Sequence, residues 1–332
     1  MLSPRALQLL VRHFDAIDSS LSRRLLRKRP WAEEALTSLF CDLLDGDTQG
    51  EEPLSYPLAD LLADLSRTDE PLGFRVRIET HQYPSSVERY VTQSDLGLVV
   101  SYQDQFEHQN SFSAPWLLQA KRLFPSQSSA NGLYDLRSTF SSHSSEQDAR
   151  MRQLRDWAGF DFIRYLLYCP RPSALSQHVR EALTHHRAAA LAGNIFDYTL
   201  GLQLREDMLS ATPTSAAGIF VALIDSCPKN LAEVHRSIFS ASTPFAWFLI
   251  QHFDTRNGVL RRHPPDEPRS RSRPHPNQET IERLVRGDHR ALRDSPIRET
   301  LDSDTPPRIL PKHTLQIEII CGIDRPRNHP NA

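Results

Sequence analysis

The stretch Pro115-Trp-Leu-Leu-Gln-Ala-Lys121 decides how this chain is read. Its apolar density and short length predict a buried strand. Alternation along a strand places Trp116, Leu118 and Ala120 on one face and Leu117, Gln119 and Lys121 on the other. Gln119 and Lys121 therefore point the same way. Lysine is scarce here: of 39 basic residues only Lys28, Lys121, Lys229 and Lys312 are lysines. An ammonium group is a compact charge that can orient a water, a task for which a planar guanidinium is no substitute. The plain alternative, true of most lysines, is a solvated side chain.

Upstream, Ser94-Asp-Leu-Gly-Leu-Val-Val-Ser-Tyr102 predicts a second strand with Asp95 at its entrance and a β-branched centre. Before it, Phe74-Arg-Val-Arg-Ile-Glu-Thr-His81 alternates, with Phe74, Val76 and Ile78 inward and Arg75, Arg77 and Glu79 outward. Three successive strands joined by polar loops predict an antiparallel meander in which Asp95 sits beside Gln119 and Lys121. Ahead of them, Trp31-Ala-Glu-Glu-Ala-Leu-Thr-Ser-Leu-Phe-Cys-Asp-Leu-Leu44 carries Leu36, Leu39, Phe40, Leu43 and Leu44 at helical spacing, with Glu33 and Glu34 in the first turn.

An acid at the head of one strand, followed after a hairpin by Gln119-Ala120-Lys121 on the next, resembles the core of the PD-(D/E)xK nuclease superfamily. The glutamine form is that of Mrr-like restriction enzymes and some antiviral effector nucleases. The helix with Glu33 and Glu34 matches the glutamate that the superfamily carries ahead of its strands. The resemblance spans residues 31–170. It implies an α/β fold with a restriction-endonuclease-like mixed central sheet flanked by helices, here with additional helices and a C-terminal extension. It also implies a Mg²⁺-dependent endonuclease, with Mn²⁺ able to substitute. Asp95 would anchor the ion, the Gln119 or Ala120 carbonyl oxygen would join it, and Glu34 or Glu33 would supply a direct or water-mediated third contact. Lys121 would hold the attacking water. Ser94 stands where many relatives have proline. Gln119 replaces the usual acid, which removes one negative charge and predicts activity at millimolar magnesium.

Each of these acids also has a structural reading. Asp95 can cap a turn. Glu33 and Glu34 suit any helix N-terminus through the macrodipole. Glu79 is a rival helper acid that an ion pair with Arg75 or Arg77 would equally explain.

Further along, a helix over about 146–158 followed by the apolar run Phe162-Ile-Arg-Tyr-Leu-Leu-Tyr168 predicts a crossover that lays a fourth strand parallel to the third. A helix over about 173–191 carries His178, His185 and His186, which lack the spacing of a zinc site. Ala216 to Ile224 predicts a strand, 230–253 one or two packed helices, and His313-Thr-Leu-Gln-Ile-Glu-Ile-Ile-Cys321 a late strand that docks on the main sheet or meets a partner. Four regions result: a basic amphipathic N-terminal helix in 1–30, a nuclease-like domain over 31–254, an Arg/Pro-rich linker over 255–277 that composition marks as extended or disordered, and a C-terminal extension over 278–332.

With 332 residues and 39% hydrophobic content the chain can bury a core without disulfides. Its four scattered cysteines predict buried thiols in a reducing, cytoplasmic setting. No run is long enough to span a membrane. A net charge of −2 argues against a strongly electrostatic nucleic-acid binder, although Arg23, Arg24, Arg27, Lys28 and Arg29 form a local basic patch that could guide a phosphate backbone. The expected partner is nucleic acid, DNA ahead of RNA, with a homodimer or a second protein of a defence system as further possibilities. The competing class is a nuclease-fold binding or scaffold protein that has lost its chemistry.

Overall fold

The structure, a computed structural model, describes residues 2–27, 30–68, 71–91, 96–126, 133–140, 145–193, 207, 213–253, 278–292 and 308–322. Asp95, Lys28, Arg29 and the Arg/Pro-rich linker lie outside them.

The alternating run at the head of the analysis becomes the middle of a longer strand. β3 (Phe112–Phe124) is buried on both faces from Ala114 to Lys121. It pairs antiparallel with β2 (Leu96–Asp104), Leu96 opposite Leu118, and parallel with β5 (Ile163–Tyr168), Gln119 opposite Tyr165. The crossover between β3 and β5 runs through α4 (Ser145–Ala158), as the strand, helix, strand order predicts. On the far side of β5 follow β6 (Ile219–Ala222) and β7 (Ser242–Pro244), both antiparallel to their neighbours. The two-residue β4 (Thr139–Phe140) pairs with the tail of β3.

The expected meander is corrected at one point. β1 (Leu72–Thr80) does not touch β2, because β8 (His313–Cys321) lies between them, antiparallel to β1 and parallel to β2. The eight-stranded mixed sheet therefore runs β1-β8-β2-β3-β5-β6-β7, with β4 beside it. The late strand outcompetes a direct β1 to β2 pairing because it can be buried on both sides. Leu315, Ile317 and Ile319 fill the apolar face, and its backbone is paired along its whole length.

Two helical layers cover the sheet. α1 (Pro4–Leu25) begins at Ser3, whose hydroxyl accepts from the Ala6 N–H, with Pro4 in the first turn. Its buried stripe Leu7, Leu10, Phe14, Ile17 and Leu21 follows the helical period. Phe14 meets Phe74 of β1 and Phe245 edge-on, and Phe245 opens α7 (Phe245–Gln251). α2 (Glu33–Leu44) brings Phe40 onto the same ring at 4.9 Å, and α3 (Leu58–Leu65) packs behind α1. The opposite face carries α4, α5 (Gln177–Gly193), α6 (Leu231–Arg236) and α8 (Gln278–Val285). α8 approaches so closely that a Cβ at Gly97 would lie 2.0 Å from the Val285 carbonyl oxygen. Only glycine fits there. One apolar cluster extends from Leu2 to Ile319, so the first helix and the last strand share a core with the segment between them. The region 230–253 holds two short helices, as its apolar content predicts, with β7 inserted between them.

Candidate functional site

β3 presents Gln119 and Lys121 on the face covered by α4, both more than nine-tenths buried. On the neighbouring strand Tyr165 and Leu167 stand directly opposite them in the parallel register. Because α4 begins at the end of the sheet where β3 finishes, its first turn lies over this pair. Lys121 Nζ donates to Gln147 Oε1 at 2.8 Å, and the Tyr165 hydroxyl donates to the Asp148 carboxylate. Burial raises the Tyr165 phenol well above its ordinary range, reinforced by the hydrogen bond to Asp148 and by that carboxylate's charge. Cys227 completes this polar layer. Burial pushes its thiol up to about 12, with Asp148 adding to the shift and Lys121 opposing it. The lysine charge is thus felt across the cluster.

The helix acids divide. Glu33 Oε1 accepts the backbone N–H of Arg122 at 3.0 Å, so this carboxylate docks on the β3 backbone from α2, on the side of the sheet away from the Lys121 side chain. Glu34, one residue on, turns away to an exposed ion pair with Lys312. Glu79 shares the Lys121 side of the sheet but sits on β1, three strand spacings across and four residues short of Lys121 in register, roughly 19 Å away. Its side chain is exposed and lies 3.7 Å from His81 rather than on Arg75 or Arg77. The structure therefore brings Gln119 and Lys121 together under α4, sets Glu33 on the β3 backbone from the α2 side of the sheet, and leaves Glu34 and Glu79 apart. Asp95 lies outside the described residues, and the strand that follows it opens at Leu96, whose partner Leu118 precedes Gln119.

Sequence reasoning missed Gln147, Asp148 and Tyr165 as members of this layer. The predicted crossover contained the signal, because its helix must start where β3 ends, but pairing Gln147 with Lys121 needs the helix rotation that tertiary packing sets. Also missed was His313 at the head of β8, beside Leu96 in the parallel register. Its Nδ1 lies 2.9 Å from Thr80 Oγ1, and its Nε2 is buried without a partner among the described residues. Burial, then the Lys312 and His81 charges, lower its imidazole below the ordinary histidine value.

The donor set of the described residues is incomplete for a hard divalent ion. Among the described residues no group of three or more His, Cys, Asp or Glu side chains is arranged to hold a metal. Glu34 is taken by Lys312, and Glu33 is engaged with the Arg122 N–H. Gln119 and the Ala120 carbonyl offer neutral oxygens only. The described residues alone do not make a Mg²⁺ site, and a fit requires the Asp95 carboxylate as well. His178, His185 and His186 lie on α5. No described helix is long and apolar enough to cross a membrane.

Comparison with protein-family models, with curated proteins and with solved structures returns no match to this chain.

Proposed function

We propose that this chain is a metal-dependent nuclease that hydrolyses phosphodiester bonds, DNA ahead of RNA, in keeping with the PD-(D/E)xK resemblance. One observation carries the reading: a buried glutamine and lysine stand two residues apart on one face of a central strand, with a helix carboxylate docked on the next backbone N–H. A lysine held at low exposure in a fixed rotamer is preorganised to present N–H donors to an attacking water or a phosphoryl oxygen. Gln147 takes one of its three donors and fixes the direction of the rest. Glu33 holds the β3 backbone at Arg122, which keeps the lysine stem in register. Mg²⁺ or Mn²⁺, with Asp95 as the anchoring carboxylate, would supply charge neutralisation at the phosphate. A role in bacterial defence or restriction, with a homodimer or a partner protein, follows from the resemblance alone.

The test is cleavage of supercoiled plasmid, linear duplex and single-stranded DNA across a magnesium and manganese series, beside Asp95→Ala and Lys121→Ala proteins with wild-type circular dichroism. Metal-dependent cutting that falls at least about 100-fold in both variants supports the reading. Cutting that survives Lys121→Ala removes the lysine from the chemistry.

A second reading has its own support. Lys121 is already occupied by Gln147 beneath α4, as a structural lysine would be, and the glutamine stands where an acid is expected. This favours a nuclease-fold scaffold or nucleic-acid-binding protein without turnover. Retained binding with no cutting under any metal condition selects it.

A further inference from the structure

Among the described residues four large hydrophobic side chains are prominently exposed, Leu26, Phe106, Phe124 and Leu133. Three of them gather at one corner of the molecule. The Tyr134 hydroxyl lies within hydrogen-bond distance of the Leu25 carbonyl oxygen at 3.3 Å and the Leu123 carbonyl oxygen at 3.4 Å. It thereby ties the end of α1 to the end of β3, so that Leu26, Phe124 and Leu133 each follow or precede a residue of this knot. The corner is also cationic and aromatic. The Arg24 and Arg27 guanidinium groups lie 5.1 Å and 5.9 Å from the Trp31 ring. Arg122 donates to the Trp31 carbonyl oxygen at 2.7 Å and stacks over Phe124 at 3.8 Å. Arg23 and Arg27 are exposed, Arg27 beside the Trp31 ring, while Arg24 is held by Glu52.

An apolar corner alone would not name its occupant. Here the rings alternate with guanidinium groups in one connected row, Arg27, Trp31, Arg122 and Phe124, and the row ends three residues beyond Lys121. At the rise of a strand that is roughly 10 Å. Flat rings that accept stacked bases, interleaved with cations that follow phosphates, are what a single strand requires and what a base-paired duplex cannot use. We propose that this corner binds single-stranded nucleic acid, bases against Phe124 and Trp31 and phosphates along Arg23 and Arg27, at the end of the strand that carries Lys121. The proposal deepens the nuclease reading by naming a substrate class for it, and in that respect rests on it, but the binding itself does not depend on cleavage.

The test therefore measures binding without turnover. The full chain, in EDTA, is titrated with a labelled single-stranded oligonucleotide of mixed sequence and with the same sequence as duplex. Anisotropy is followed together with tryptophan fluorescence. Trp116, Trp157 and Trp247 are buried, so quenching reports chiefly on half-buried Trp31. The single strand is expected to bind more tightly than the duplex and to quench. Phe124→Ala should weaken single-strand binding about tenfold and leave duplex binding unchanged. Arg23→Glu and Arg27→Glu should each flatten the salt dependence. All three positions are exposed, so unchanged thermal melts are expected as a fold control. Equal affinities for wild type and Phe124→Ala, tighter binding of duplex, or no binding of either probe overturns the proposal. Self-association that Phe124→Ala abolishes, with no oligonucleotide binding, would give the corner to a second copy of the chain instead. Cleavage lost in Lys121→Ala with Phe124→Ala binding intact would keep the nuclease reading and sink this one. The reverse result, binding that depends on Phe124 with no cleavage under any metal, would do the opposite.

Discussion

On the face of the sheet covered by α1, α2 and α7, strands β1, β8, β2 and β3 present Phe74, Val76 and Ile78, then Leu315, Ile317 and Ile319, then Leu98, Val100 and Tyr102, then Trp116, Leu118 and Ala120. On the opposite face the same strands present Arg75, Arg77 and Glu79, then Thr314, Gln316 and Glu318, then Gly97, Val99, Ser101 and Gln103, then Leu117, Gln119 and Lys121. One backbone thus carries a wholly apolar surface and a second, mixed one in which polar side chains are interleaved with Val99 and Leu117. The first is joined by ring contacts such as Phe14 to Phe74 and Trp116 to Phe248. The second is joined by polar contacts, Lys121 to Gln147, Arg286 to Gln316, and Gln103 to Glu318. The apolar face supplies the burial that stabilises the fold. A buried polar face contributes little net stability and is costly when a partner is lost. Its retention at Gln119 and Lys121 is the physical reason to look for chemistry there.

The contrast can be broken from the apolar side first. Phe40 is fully buried against Phe245, so Phe40→Ala should cost about 3–5 kcal/mol in denaturant unfolding. A loss below about 1 kcal/mol would mean that this layer is not the stabilising one.

A charge buried on the apolar side gives the next largest effect. Asp18 of α1 accepts the Gly218 N–H at 2.9 Å and the Ile219 N–H at 2.6 Å, and lies 3.4 Å from Arg171. Burial raises its carboxyl to about 6, with the Arg171 charge opposing the shift and Asp15 adding to it. A folded pKa above the unfolded value means that the native state holds the proton more tightly. The contribution of this group to stability is therefore greatest at low pH and is lost as pH rises from about 4 through about 6, on the order of 3 kcal/mol in all. The difference in unfolding free energy between wild type and Asp18→Asn should slope in that sense across this window and level off above it. A flat difference would show that Arg171 fully offsets the burial.

Gly97→Ala probes the seam where α8 meets the polar face. A methyl group would meet the Val285 backbone oxygen, so the helix must shift, at about 1–3 kcal/mol. Stability unchanged by this substitution would show that α8 is not held against the sheet.

The smallest effects separate the two helix acids. Glu33→Ala should leave the Arg122 N–H without its acceptor, cost about 1–2 kcal/mol and lower any cleavage. Glu34→Gln breaks only an exposed pair and should cost under about 1 kcal/mol with cleavage retained. The opposite ranking would move the site toward Lys312.

Local pattern made much of this legible. Alternation in Phe74 to His81, Pro115 to Lys121 and His313 to Cys321 identifies strands and their faces, because the period of a strand is a property of a few adjacent residues. The shared direction of Gln119 and Lys121 and the parallel placement of β5 follow from the same local rules. Partner choice does not. β8 enters between β1 and β2 from more than 200 residues away, and Thr80 meets His313 across 233 positions. Nothing in either segment's own alternation distinguishes that pairing from a direct β1 to β2 hairpin.

The same division applies to the candidate site. The sequence by itself determined the α/β class, the strand that carries Gln119 and Lys121, their common face, and the acid-bearing helix ahead of them. Only the tertiary structure decided that Glu33 docks on β3 while Glu34 turns to Lys312, that Glu79 is removed from the lysine by two intervening strands, and that Gln147 receives the ammonium group. Strand period is fixed by backbone geometry within a few residues. Which of two adjacent helix acids meets a strand depends on the rotation of that helix, and that is set by Phe40, Leu36 and Leu43 packing into a core assembled from both ends of the chain.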